Sequence, residues 1–332
     1  MGKDNIFDLK RNSDSLLKKF PNRLNSIDQN KVRLILVLVF GFSVLLIGCA
    51  IGIREMPRLL KVESKKSLVI SEKFQIPQAT PTPISEKEKM RMVIEEIIQP
   101  LRGKYGIYFL DLTTLDGFSI NGKEKFTAAS LMKLPVMLSM YRDSEAKRID
   151  LDKVYRLKAV DKRQGSGSLG LKEVGYEISY RKIVQLMGEQ SDNTAYHIAR
   201  TAIGDERVQQ LIDLLGMKNT SITEGITTPE DTALLFKKIY TEKVINENDT
   251  RQLLGFLTGT IWEDRIPAGI PSGVKVAHKI GTEIGVISDA GIIFSQKPFI
   301  LTILTQDADE IEAKKLLPEI TAKIYQLFIL GN

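Results

Sequence analysis

The chain is poor in the residues from which many active centres are built. Among 332 residues there are one cysteine and two histidines. The cysteine, Cys49, lies inside an apolar run, so neither a disulfide nor a cluster of soft zinc ligands can be assembled, and no metal or organic cofactor is expected. With His197 and His278 as the sole imidazoles, a Ser-His-Asp triad has little to draw on. Surplus basic charge is also missing from most of the chain. The formal +6 is concentrated before residue 85, where 14 Lys/Arg face 7 Asp/Glu, whereas residues 85–332 hold 33 against 34. A basic nucleic-acid surface on that larger part is therefore not expected. What is present, 43% apolar and 27% charged residues, is a globular composition with enough apolar matter for one large core or two modest ones.

One uncharged run stands out: Leu34 to Ile53, twenty residues closed by Arg33 and Arg54. As a helix it would span roughly 30 Å, the thickness of a bilayer's hydrocarbon core. The reading is a single-pass membrane anchor behind a basic segment of cytoplasmic type, residues 1–33. The alternative is a signal peptide ending in the lipobox-like Leu46-Ile47-Gly48-Cys49, with Cys49 lipidated. Charge does not orient the span, because five Lys/Arg precede it at positions 14–33 and six follow at 54–73. Residues 54–84 mix charge with four prolines and have little to bury, as befits a tether.

Order is expected from Ser85, where S-E-K-E forms a capping box ahead of Met92, Ile94, Ile97 and Ile98. Pro100 ends that helix. Strand patterns follow at Tyr105 to Leu112 and Phe118 to Ile120, and return only at Val274–Thr282, Gly285–Phe294 and Phe299–Thr305; residues 129–257 between them read as helical. An amphipathic helix through Leu316, Ile320, Ile324 and Phe328 closes the chain. This order predicts an α+β domain, residues 85–332, whose antiparallel sheet is built from both ends and flanked by helices, with an inserted all-helical lobe.

Three short motifs carry chemistry. Ser130-Leu131-Met132-Lys133 is an S-x-x-K, a pattern that also occurs at Ser15, Ser144, Ser179 and Ser272, so context must select. Ser130 opens an apolar helix, where free N–H groups point at its hydroxyl, and Lys133 falls on the same face. Met132, Leu134, Val136, Met137 and Met140 make that helix apolar almost all round, which should bury Lys133 and ease loss of its proton. Pro135 is an awkward residue for the helix. Ser191-Asp192-Asn193 reads as a helix start. Lys279-Ile280-Gly281-Thr282 reads as a strand with Lys279 and Gly281 on one face and His278 and Ile280 on the other. Gly281 would let a substrate or the Ser130 helix approach the backbone. A serine hydroxyl needs a base beside it, and with imidazoles so scarce lysine is the candidate. His197 reads as a structural helix residue.

In this order the motifs resemble the class A β-lactamases and their relatives among the penicillin-binding proteins, whose set is S-x-x-K, S-D-N and K-T-G. The similarity spans roughly residues 90–330, including Gly165-Ser166-Gly167, Thr227-Thr228-Pro229 and Arg265-Ile266-Pro267-Ala268-Gly269. It implies Ser130 as nucleophile, Lys133 as proton acceptor and Ser191 as proton donor to the leaving nitrogen, with Lys279 adjoining it. It implies that Asn193 binds the substrate amide, that Gly281 and Thr282 lie along the bound substrate, and that the N–H groups of Ser130 and Thr282 form an oxyanion hole. The substrate would be a β-lactam or a peptidoglycan-type amide, and the domain would lie outside the cytoplasm. Two departures matter. Ile280 replaces the threonine of K-T-G, and no E-x-x-L-N precedes Thr227-Thr228-Pro229, which leaves Glu224 as either a water-activating base or an exposed turn residue. A serine hydrolase of this class is the leading expectation; a D-alanyl-D-alanine peptidase and a non-catalytic wall-binding or sensor domain are the alternatives.

Overall fold

A computed structural model describes residues 84–331. The expected span Leu34–Ile53 and its flanking segments lie outside the described residues, among which no helix is long and apolar enough to cross a membrane.

The first helix, α1 (Glu86–Ile98), starts where its cap places it: the Ser85 Oγ accepts from the Glu88 N–H at 3.1 Å. Strands β1 (Lys104–Asp111) and β2 (Gly117–Ile120) follow as a hairpin, and β3 (Phe126–Thr127) leads into a 3₁₀ turn, Ala129–Met132. Next come α2 (Lys133–Glu145), β4 (Val154–Arg156), β5 (Glu177–Ser179), α3 (Tyr180–Glu189), α4 (Asn193–Ile203) and α5 (Asp205–Leu214). The chain continues through β6 (Ile226–Thr227), α6 (Pro229–Thr241), α7 (Glu247–Phe256), β7 (Lys275–Glu283), β8 (Val286–Phe294), β9 (Phe299–Gln306) and α8 (Glu310–Tyr325). The main sheet is antiparallel in the order β2-β1-β9-β8-β7, so strands from both ends of the domain meet in the β1–β9 pair. Two small ribbons, β3–β6 and β4–β5, were not anticipated, because two- and three-residue strands are too short to show a period.

Both faces of the sheet are covered, which is why β8 reads as a continuous buried run. On one face Phe109, Phe299 and Ile303 pack against Ile94 of α1 and Leu317, Ile320 and Ile324 of α8. On the other, Ala290, Ile292 and Ile300 join the core of the helical lobe. The hub of that lobe is α2, buried without a break from Lys133 to Tyr141. Pro135 costs this helix little, since it stands in the first turn, where an N–H has no intrahelical acceptor. The edge strand β7 runs beside the 3₁₀ turn. A Cβ on Gly281 would lie 3.0 Å from the Ala128 carbonyl oxygen, so the approach expected of that glycine is made by the segment bearing Ser130.

Candidate active site

Ser130 occupies the 3₁₀ turn ahead of α2, one step earlier than the α-helical start expected from the apolar pattern. Ala129 before it is held at φ 45°, and Ser191 at φ 53°. Left-handed backbone at non-glycine residues costs about 1–3 kcal/mol each and persists where surrounding packing over-determines it. Here both strained residues flank one cavity.

Lys133 is 2% exposed, as its apolar helix requires. Its Nζ lies 2.7 Å from Ser130 Oγ, 2.8 Å from Asn193 Oδ1 and 3.2 Å from Ser191 Oγ. Burial draws its pKa down to about 8, against the opposing pull of Asp192. A neutral amine is therefore accessible near neutral pH, with its lone pair beside the serine proton. Lys279, on β7, is fully buried and donates to Ser191 Oγ at 2.8 Å and to the Ile280 carbonyl at 3.2 Å. Burial first, and the Lys133 charge second, hold its pKa well below the usual lysine range.

The S-D-N segment works as a unit. Asp192 is wholly buried and caps α4, accepting from the Ala195 N–H at 2.8 Å and from the Leu169 N–H at 2.7 Å. Asn193 turns its amide the other way, donating to the Gln164 carbonyl at 2.9 Å. The Ser166 hydroxyl donates to the Ser191 carbonyl at 2.8 Å. A Cβ on Gly165 or Gly167 would come within 2.5 Å of the Asn193 or Asp192 side chain, which is what the Gly-Ser-Gly spacing accommodates.

The cavity over these groups measures about 480 Å³ and is walled by Tyr196 on α4 and by Trp262 and Arg265 on the loop that follows α7. Strand geometry sets its floor. The His278 N–H points away from β8, to the Leu257 carbonyl at 2.8 Å, and alternation turns the Thr282 N–H the same way, toward the Ser130 turn. Arg265 is 2% exposed; its Nη1 donates to the Gly281 carbonyl at 2.9 Å and its Nη2 to Thr282 Oγ1 at 2.6 Å, while Nε has no acceptor. Arg265 and Trp262 were not singled out as site residues. The signal for Arg265 was its place in the Arg-Ile-Pro-Ala-Gly stretch, and for Trp262 its being the sole tryptophan.

His278, on the opposite face of β7 from Lys279 as expected, does not line the cavity, although Ile280 and Thr282 farther along that same face do. It is 1% exposed, with Nδ1 2.9 Å from Asp289 Oδ1 and Nε2 3.2 Å from Glu263 Oε1. Despite burial, these carboxylates raise its pKa to about 9. His197 lies outside the cavity against Arg163.

Ser130, Lys133, Ser191 and Asn193 are thus brought together, with Lys279 behind Ser191 and Thr282 along the rim. Glu224 is not among them. The loop from α5 to β6 does approach the nucleophile, since the Gly225 carbonyl accepts from the Ala128 N–H at 2.8 Å. But Glu224 itself is exposed in a turn closed on Ser221 Oγ and does not line the cavity. Of the two roles open to it, water-activating base or turn residue, the geometry corresponds to the turn. The acids that do line the cavity, Asp264 and Glu283, are exposed.

Comparison with known proteins gives one consistent grouping. Residues 89–328 match the model of the beta-lactamase enzyme family. Beta-lactamase 3 of Bacillus cereus is 22% identical over 244 residues, covering 68% of this chain and 76% of that protein. Among solved structures, PBP-A superposes with a TM-score of 0.69 at 23% identity, over 73% of this chain and 96% of the other. A variant of PBP-A in acyl-enzyme complex with penicillin G gives 0.69 at 22%, covering 75% and 99%. The β-lactamase of Sphaerobacter thermophilus gives 0.68 at 25%, covering 73% and 96%.

Proposed function

The chain belongs to the beta-lactamase enzyme family, as a class A-like serine hydrolase, and from that premise we propose that it acts on β-lactams or related peptidoglycan-type amides by transferring their acyl group to Ser130. The observation that carries the reading is the single contact between a buried lysine of pKa about 8 and the Ser130 hydroxyl at 2.7 Å. In the proposed sequence the Ser130 Oγ attacks the carbonyl carbon while its proton passes to neutral Lys133. The resulting oxyanion is met by the N–H groups of Ser130 and Thr282, usually a large contribution in such sites. As the C–N bond breaks, Ser191 gives its proton to the leaving nitrogen and recovers one from Lys133, with Lys279 holding the Ser191 oxygen in place. Asn193 orients the substrate amide. Arg265, through Thr282, supplies part of the carboxylate recognition that a hydroxyl at Ile280 would otherwise give.

The ester so formed needs a second base to activate water. No carboxyl among the described cavity residues is buried beside Ser130, which favours a persistent acyl-enzyme over rapid turnover. A reporter penicillin followed by intact-protein mass spectrometry tests this: one adduct per chain that outlasts the labelling step is expected. Rapid multiple turnover of a chromogenic cephalosporin would remove the slow-deacylation reading, and absence of any adduct would return the chain to the wall-binding or sensor alternative. The same proposal keeps residues 34–53 as a single-pass anchor with the domain outside the cytoplasm. Retention in membranes after alkaline carbonate, with the domain open to external protease, is the expected outcome; retention that depends on Cys49 would assign the lipid-anchored alternative.

A further inference from the structure

A second cavity, of about 310 Å³, opens between α2 and α5. Its walls come from Ser139, Arg142 and Asp143, spaced along one face of α2, from Arg148 just beyond, and from Arg207 and Gln210 on α5. At a helical rise of 1.5 Å per residue this part of α2 lies roughly 15–20 Å from Ser130, so the cavity does not belong to the reaction site.

The polar groups here are unevenly satisfied. Asp143, 4% exposed, accepts at Oδ1 from Arg148 Nε at 3.0 Å and from Arg148 Nη2 at 2.5 Å, which leaves Nη1 of that guanidinium for the cavity. Arg207 Nη1 lies 2.8 Å from Asp143 Oδ2 but without the alignment of a hydrogen bond, and its Nε is committed to the Ile203 carbonyl at 2.7 Å. Asp143 Oδ2 is therefore a buried acceptor without an aligned donor. Ser139 Oγ, on a residue 3% exposed, has no partner either, and Arg142 has no acceptor among the described residues. Gln210 is taken up by Glu206 at 3.3 Å. Three guanidiniums face one carboxylate, a local surplus of two positive charges, and a buried polar atom left unpaired costs its full desolvation.

We propose that this cavity binds hydrogenphosphate. Its unprotonated oxygens answer Arg142, Arg148 and Ser139, and its two negative charges match the surplus. Its P–OH donates to Asp143 Oδ2, which an anion without a proton cannot do. Sulfate would set a lone pair against that carboxylate. A phosphomonoester, mostly without its proton above a second pKa of about 6, is disfavoured for the same reason at pH 7 and above.

The test is titration of the full chain with inorganic phosphate, glycerol 3-phosphate and sulfate at matched ionic strength, read by calorimetry and by the thermal midpoint. Phosphate should bind and raise the midpoint, with sulfate and the ester each weaker by about tenfold or more, the scale of one charge-assisted hydrogen bond. Arg142→Gln should weaken phosphate by about tenfold while leaving the ligand-free midpoint unchanged. Asp143→Asn, whose amide donates, should bring sulfate level with phosphate. If that variant fails to fold, Ser139→Ala replaces it, with weaker phosphate binding expected. Equal binding of all three anions, no phosphate binding, or the same phosphate affinity in Arg142→Gln would overturn the proposal.

Discussion

The two faces of β7 carry adjacent buried cations that the protein drives in opposite directions. Burial disfavours charge on both Lys279 and His278. Lys279 contacts a hydroxyl and a carbonyl but no carboxylate, so burial, with the Lys133 and Arg265 charges, lowers its pKa against the pull of Asp289; His278 contacts Asp289 and Glu263, so its pKa rises to about 9. Partners, not depth, decide the sign. On the Lys279 side, beside Ser191 and Lys133, positive charge is thereby disfavoured, while the His278 side, which also sends Ile280 and Thr282 to the cavity, is locked by charge. On that side the Asp289 carboxylate also accepts from the Ile266 N–H at 3.0 Å, and Glu263 accepts from the Thr260 N–H at 2.7 Å. This ties down the loop that brings Trp262 and Arg265 to the cavity.

If the division holds, damage on the Lys279 side, among the reacting groups, should remove chemistry and spare stability. Ser130→Ala is expected to abolish penicillin labelling with a nearly unchanged thermal midpoint; persistent labelling would mean a different nucleophile. Lys133→Ala should slow labelling by about 10²–10⁴-fold, the usual worth of a positioned base. A loss under tenfold would shift that role elsewhere.

Damage on the opposite face should do the reverse. His278→Asn is expected to lower stability by roughly 3 kcal/mol, as for breaking one side of a buried ion pair, measured by denaturant unfolding. Labelling by the remaining folded protein should persist, and a stability loss within error would show that the pair is not holding the loop.

Acidity offers a finer cut. Acylation needs Lys133 neutral, so its rate at constant folded fraction should climb as pH rises through about 8 and then level. The His278 contribution has the opposite sign. Because its folded pKa of about 9 exceeds its unfolded value, the stabilisation is complete below about 6.5 and is lost as pH rises through 9. Parallel labelling and unfolding series from pH 6 to 10 should therefore diverge; curves that rise together would end the comparison. The smallest effect is expected from Glu224→Gln, which should leave the adduct lifetime unchanged because that side chain is exposed in its turn. A tenfold longer lifetime would restore Glu224 as the deacylating base.

An antiparallel sheet built from both ends was legible because its long strands are eight- or nine-residue apolar runs bounded by turns, and the cap at Ser85 is a local three-residue contact; the strand order was not. The buried position of Lys133 was legible from the apolar residues around it on the same helix. The 3₁₀ turn at Ser130 was not, since nothing in the periodicity distinguishes it from a first α-helical turn. Arg265 and the position of Glu224 were not legible either. Whether a charged side chain on a loop turns inward or outward depends on partners far along the chain, such as Gly281 and Thr282 for Arg265.

The amino-acid order alone thus determined the α+β architecture, the candidate nucleophile and its lysine, because those rest on patterns within one helix or strand. Only the tertiary structure decided which of two buried cations on β7 has its pKa lowered and which has it raised, where the α5–β6 loop sends its acid, and which cavity gains an arginine. The two cations and the arginine depend on how deeply each is buried and on which groups from other segments come within about 3 Å of it, and electrostatic energies at such sites are set by the assembled surroundings.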